Sequence, residues 1–273
     1  MHTRAEAPVG IFDSGVGGLS AAYQLERILP FESYIYFGDT ARVPYGTRTV
    51  ETVKRYSLQD GRFLVSKGVK AILVACGTAS SNALELLRSE LDIPVVGVID
   101  GAAERAYEAA EASNGVIAVL GTAATIRSGA FERALKARDP ALRIISRACP
   151  MFVPLVENGY TDGQVAELIA MEYLNDLIPQ KPSAVILGCT HYPMLSPVIG
   201  RILEDSVLVD SSAEAVITLA NVLGKSGIRV ESRPEYPIIR QFFVSDDTEG
   251  FEKSALNFLG RSVGASIVDI NAY

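Results

Sequence analysis

The sequence predicts an α/β protein of two pseudo-symmetric domains, each a mostly parallel sheet flanked by helices, with a site in the cleft between them. Three observations predict it. Apolar β-rich runs alternate with helical patterns along the whole 273-residue chain, as parallel βαβ units require. Landmarks recur at a nearly constant offset: Asp13 and Thr122 lie 109 positions apart, Cys76 and Cys189 113, and Asp100 and Asp210 110. One unusual unit occurs twice, an apolar run leading through a small residue to a cysteine with a threonine close behind. It reads ILVACGTASSNAL at 72–84 and VILGCTHYPML at 185–195.

Taken in order, VGIFDSG (9–15) predicts a strand and a turn, and GLSAAYQLERIL (18–29) a helix, from its apolar spacing. SYIYFGD (33–39) is the next strand, and residues 48–68 form a long helix closed by a glycine. AILVAC (71–76) predicts a strand, ASSNALELLRSEL (79–91) a helix, and IPVVGVID (93–100) a strand followed by another helix. Residues 115–135 then repeat strand, small-residue turn and helix. Residues 183–203 repeat the first cysteine unit, and 206–224 repeat the strand and helix that begin at 93. IIRQFFVSDD (238–247) and ASIVDIN (265–271) read as strands around a final helix.

Composition narrows the function classes. Hydrophobic residues make up 48% and charged residues 21%, which supports a sizeable core and argues against disorder. The net charge is −7 and no Lys/Arg cluster stands out, so no nucleic-acid partner is expected. The opening MHTRAEA reads as a frayed tail without the apolar core of a secretory signal. No apolar run is long enough to cross a bilayer, and the expectation is a soluble cytoplasmic protein with no membrane partner. Three cysteines do not make a disulfide framework, and Cys149 reads as structural. The two histidines are His2, in the tail, and His191, two residues after a cysteine.

In open parallel sheets ligands sit beyond the carboxyl ends of the strands. Asp13, Cys76, Thr122 and Cys189 all fall there, just before expected helices, so one cleft would receive all four. A helix N-terminus behind a thiol lowers its pKa from about 8.5. Two thiols on opposite faces of one carbon suit removal of a proton from one side and delivery to the other. Ser14, Gly77, Thr78 and Thr190 lie where backbone N–H groups and hydroxyls could hold a carboxylate. Cys76, Cys189 and His191 would supply three zinc ligands, but no CxxC pair supports a metal, and none is expected. FDSGVGGLS fits neither the dinucleotide fingerprint nor the P-loop. Asp100 and Asp210 are expected to cap helices.

The motifs IFDSGVGGLS (11–20), YFGDTARVPYG (36–46), ACGTASSNAL (75–84), LGTAATIRSGAF (120–131), PLVENG (154–159) and GCTHYP (188–193) run through nearly the whole chain. In that order they resemble the glutamate racemase family. The resemblance implies cofactor-independent interconversion of L- and D-glutamate for peptidoglycan synthesis, without pyridoxal phosphate, metal or nucleotide. It implies that Cys76 takes the α-proton of D-glutamate and Cys189 that of L-glutamate. Asp13, His191 and Glu157 would assist the thiols. Asp13, Ser14, Tyr45, Gly46, Gly77, Thr78, Thr190 and His191 would contact the substrate, with Thr122 and Thr125 in a second small-residue loop nearby. It implies a first domain of residues 1–98 plus 208–273, a second of 99–207, and a possible homodimer. One departure stands out: the family most often reads Cys-Asn-Thr where this chain reads Cys76-Gly77-Thr78. The glycine keeps a backbone N–H, loses an amide side chain, and gains freedom to adopt positive φ.

Two other readings stay open at this point. One is a cysteine amidase or hydrolase using Cys189 and His191. The other is a glutamate-binding protein without the chemistry.

Overall fold

A computed structural model of the chain describes residues 5–111 and 115–273. His2 and most of the expected tail lie outside them. Among the described residues, ten strands form two sheets, parallel in every pairing.

The first half contains β1 (Val9–Asp13), α1 (Leu19–Ile28), β2 (Tyr34–Gly38), α2 (Val50–Ser66), β3 (Ala71–Val74), α3 (Gly77–Glu90) and β4 (Val95–Gly97). Helix α4 (Ile99–Glu111) leads into β5 (Val116–Gly121), α5 (Ala123–Ser128), α6 (Ala130–Lys136), β6 (Arg143–Ala148), α7 (Phe152–Glu157), α8 (Gly163–Leu174) and β7 (Ala184–Leu187). Then come α9 (Ser196–Ile202), β8 (Val207–Asp210), α10 (Ser211–Lys225), β9 (Arg240–Val244), α11 (Thr248–Leu259) and β10 (Ala265–Ile267).

The second sheet runs β6-β5-β7-β8, and the first contains the matching order β2-β1-β3-β4, extended at its β2 edge by β9 and β10. The repeat offset of the sequence is therefore a repeat of topology, with β1 standing for β5 and β3 for β7. Strands β1, β3, β5 and β7 are buried at every position, because helices cover both faces. Their sequences are accordingly continuous apolar runs. Helices α4 and α10 pack against each other, and α10 also packs on α1. Among the described residues no helix is long and apolar enough to cross a membrane.

Three local expectations are corrected. Helix α3 begins directly after Cys76, which is itself the N-cap. Strand β4 stops at Gly97, where the Ser80 hydroxyl takes the Val98 N–H at 3.2 Å. Helix α4 then starts at Ile99, so Asp100 sits inside its first turn, 3.4 Å from the Arg88 guanidinium, and is not its cap. Asp210 does cap α10, accepting from the N–H groups of Ser212 and Ala213. Behind Cys189 the chain makes a 3-10 turn over Tyr192–Leu195 before α9. Pro193 in that turn lacks the N–H that a continuous helix would go on to use.

Candidate active site

The carboxyl ends of β1, β3, β5 and β7 open onto one cavity of about 370 Å³, within the range of small-molecule sites. The first half contributes Asp13 and Ser14 after β1, Tyr45 and Gly46 from the turn after β2, and Cys76, Gly77 and Thr78 after β3. The second contributes Thr122 after β5, Glu157 from α7, and Cys189, Thr190 and His191 after β7. Thr125 does not line the cavity. It is buried behind Thr122, with the two hydroxyls 3.0 Å apart. The Thr122 hydroxyl also lies 3.0 Å from that of Thr78, linking the two halves at the cavity wall.

Cys76 is 5% exposed. Its sulfur accepts the Ala79 N–H at 3.5 Å and lies 3.5 Å from the Ser14 hydroxyl. Those contacts favour a thiolate, as expected for a helix start. Burial outweighs them, and the neighbouring Asp13 charge adds to it, pushing the thiol up to about 12. The expected lowering by the helix N-terminus is thus present but outweighed. Asp13 accepts the Gly15 N–H at 3.0 Å through Oδ2, while its buried Oδ1 has no hydrogen-bond partner. Burial raises the Asp13 pKa, opposed by the His191 charge and by N–H groups of Gly18, Gly15 and Ser14.

The second thiol is built differently. Cys189 Sγ lies 3.9 Å from His191 Nδ1, and His191 Nε2 lies 3.0 Å from a carboxylate oxygen of Glu157. Burial lowers the His191 pKa, but the bonds to Cys189 and Glu157 together outweigh it and raise the imidazole to about 10. An imidazolium, more than a helix N-terminus, faces the sulfur on this side. The His191 ring also meets Phe258 edge-on at 5.7 Å, which fixes its plane.

Glycines let the loops meet. A Cβ at Gly77 would lie 2.2 Å from the carbonyl oxygen of Gly188, so the two cysteine loops touch through their backbones. Gly77 is the first residue of α3 and is not among the positive-φ glycines, so steric room, not the expected positive φ, is what the glycine supplies. A Cβ at Gly17 would lie 2.3 Å from Thr190 Oγ1 and 2.4 Å from His191 Cε1. The glycine-rich turn after β1 therefore receives the second cysteine loop rather than a phosphate.

The Tyr45 hydroxyl points away from the cavity, 2.5 Å from Asp39 Oδ2 and 2.9 Å from Asp60 Oδ2. What Tyr45 offers a ligand is backbone and ring. Sequence reasoning missed this buried network, because Asp60 arrives from the middle of α2 without a motif around it. It also missed the apolar wall of Pro150, Val153 and Pro154. The same rule about strand ends could have found it, since Pro150 stands two residues past β6. Cys149 beside it is fully buried and takes no part in the lining.

Comparison with known proteins gives concordant results. The Asp/Glu/hydantoin racemase family profile matches residues 19–220. The glutamate racemase of Geobacter metallireducens is 48% identical over 94% of this chain and 94% of its own length. The crystal structure of the Francisella tularensis glutamate racemase in complex with D-glutamate superimposes with a TM-score of 0.90 at 34% identity, covering 98% of this chain and 100% of the other. That of the Thermus thermophilus glutamate racemase in complex with beta-chloro-D-alanine gives 0.87 at 41% identity, covering 98% and 99%.

Proposed function

Since this chain belongs to the Asp/Glu/hydantoin racemase family, we propose that it interconverts L- and D-glutamate, supplying the D-enantiomer for peptidoglycan synthesis in the cytoplasm. The observation that carries the reading is the pair of thiols, one from each half, on the walls of a single cavity.

In this reading the α-carbon sits between Cys76 and Cys189. In one direction the Cys189 thiolate takes the α-proton of L-glutamate, leaving a planar carbanion whose charge spreads into the carboxylate. The Cys76 thiol then gives its own proton to the opposite face, and D-glutamate results. The reverse direction exchanges the roles. Each turnover therefore moves one proton from carbon to one sulfur and another from the second sulfur to carbon, with no oxidation or group transfer. The α-proton of an amino acid is a very weak acid, so donors must be preorganised for the charge that develops. The backbone N–H of Gly77 and the hydroxyls of Ser14, Thr78 and Thr190 serve as those donors. His191, held by Glu157, supports the Cys189 thiolate. Asp13 faces the first thiol and attracts the substrate ammonium.

Incubation with L-glutamate in deuterated water without added cofactor tests the reading. D-glutamate carrying deuterium at the α-carbon is the expected product. Unchanged chirality without label at high enzyme concentration would refute it and leave a binding protein. Cys76→Ser separates the amidase reading, because a hydrolase built on Cys189 and His191 keeps its turnover without Cys76 while racemisation is lost.

A further inference from the structure

The motif around Tyr45 leads down to a buried cluster that the reaction itself does not use. Arg42 Nε donates to Asp39 Oδ2 at 2.6 Å, its Nη2 to Asp60 Oδ1 at 2.9 Å, and its Nη1 to Gln59 at 2.6 Å. The Ser245 hydroxyl donates to Asp39 Oδ1 at 2.8 Å. The Arg42 guanidinium stacks on Tyr56 at 4.1 Å. Asp39 and Asp60 are both fully buried.

The protons do not balance if both carboxyls are ionised. The Tyr45 oxygen is within hydrogen-bond distance of a carboxylate oxygen on each aspartate. A phenol has one proton and can donate to one of them. The second contact then needs a proton of its own, or two oxygens face each other across 2.9 Å in a buried site. Arg42 and Ser245 already bond the remaining carboxylate oxygens, so the missing proton belongs on Asp60 Oδ2.

We propose that Asp60 is kept as a neutral carboxylic acid that donates to the Tyr45 oxygen while Tyr45 donates to Asp39, and that this relay is the positioning device for the substrate-facing rim at 43–47. Asp60 touches no substrate and acts through Tyr45. The groups that reach it are Asp39, Arg42 and Tyr45 from the segment after β2, and Asp13 from β1 through its charge, while Gln59 beside it on α2 bonds Arg42. Burial raises the Asp60 carboxyl well above the usual range, and the Asp39 and Asp13 charges add to this against the pull of Arg42 and of the Tyr45 hydroxyl. A neutral Asp60 also leaves the Asp39–Arg42 pair as a compensated ion pair, instead of two buried anions sharing one cation.

The kinetic part of this proposal rests on the racemase reading; the spectroscopic part does not. Infrared difference spectra of wild type against Asp60→Asn at neutral pH should show the carbonyl stretch of a protonated carboxyl in the wild type alone. Asparagine can donate to Tyr45 and accept from Arg42, so Asp60→Asn should keep KM for glutamate within about twofold. Asp60→Ala should raise KM by about tenfold with kcat nearly unchanged, because its bonds to both Tyr45 and Arg42 are lost. Absence of the protonated band, an Asp60→Asn variant as impaired as Asp60→Ala, or a folded Asp60→Ala variant with normal KM would each overturn the proposal. If Asp60→Ala does not fold, the band and the Asp60→Asn kinetics decide it. A wild type that does not racemise glutamate would refute the function and leave the spectroscopic result to decide the state of Asp60.

Discussion

The two cavity sulfurs sit in unlike surroundings. Cys189 faces an imidazolium buttressed by Glu157, whereas Cys76 faces the hydroxyl of Ser14 and the carboxylate of Asp13. The asymmetry makes chemical sense for a zwitterionic substrate. Its ammonium brings one positive charge into the cavity, and the half that lacks a cation of its own gains most from it. Cys76, with its thiol at about 12, stays protonated across the physiological range. At pH 8 its thiolate fraction is roughly three orders of magnitude below that of a free cysteine, and the greater nucleophilicity of a more basic thiolate restores only part of the rate. Peptide mapping after iodoacetamide treatment at pH 8 should therefore find Cys76 alkylated at least about tenfold more slowly than in the unfolded chain, with the rate still rising beyond pH 10. Alkylation as fast as in the unfolded chain would contradict this assignment. That both cysteines stand at strand ends facing one cavity was legible in the sequence. The direction of the Cys76 shift was not, because a helix N-terminus is visible in a linear pattern and burial beside Asp13 is not.

At the scale of elements, the site depends on turns that follow strands. The chain places Asp13, Cys76, Thr122 and Cys189 each within two residues of a strand end, and the apolar runs announced those ends. What the pattern could not announce was which turns touch. Gly77 and Gly188 sit 111 positions apart, yet their loops approach so closely that no side chain fits at position 77 without displacing the second cysteine loop. The Tyr45 relay was hidden for the same reason, since its partner Asp60 projects from the middle of α2. A methyl group at position 77 should therefore separate the thiols by a fraction of an ångström to about 1 Å. For Gly77→Ala we expect kcat/KM, followed by polarimetry from either enantiomer, to fall by up to about 100-fold, the usual penalty for misplacement on that scale. The loss must be equal in both directions, because the equilibrium constant between enantiomers is one. Wild-type rates in a correctly folded Gly77→Ala protein would mean that the contact between the loops does not set the geometry.

For the molecule as a whole, the sequence offset between the halves and the matching strand orders describe the same repeat. Alternating apolar runs and helical patterns were enough to read an α/β chain of two parallel sheets, because strands covered on both faces must be continuously apolar. The resemblance implied that residues 208–273 return to the first domain, but the particular edge, β2, that β9 and β10 join was beyond that reading. Nothing in a strand's own composition tells which sheet edge it will join, and the first half takes these two strands after the chain has passed through the second. The functional consequence of the repeat is a cleft with one thiol on each side. If the two sides act on one carbon in sequence, a proton removed by one sulfur is not the proton returned by the other. The direct measurement is the distribution of label at low conversion of L-glutamate in deuterated water. Two-sided transfer predicts D-glutamate fully deuterated at the α-carbon while the recovered L-glutamate stays unlabelled. Deuterium appearing in the recovered L-glutamate as fast as in the product, or protium retained in the D-glutamate, would place a single base on one face and contradict the account.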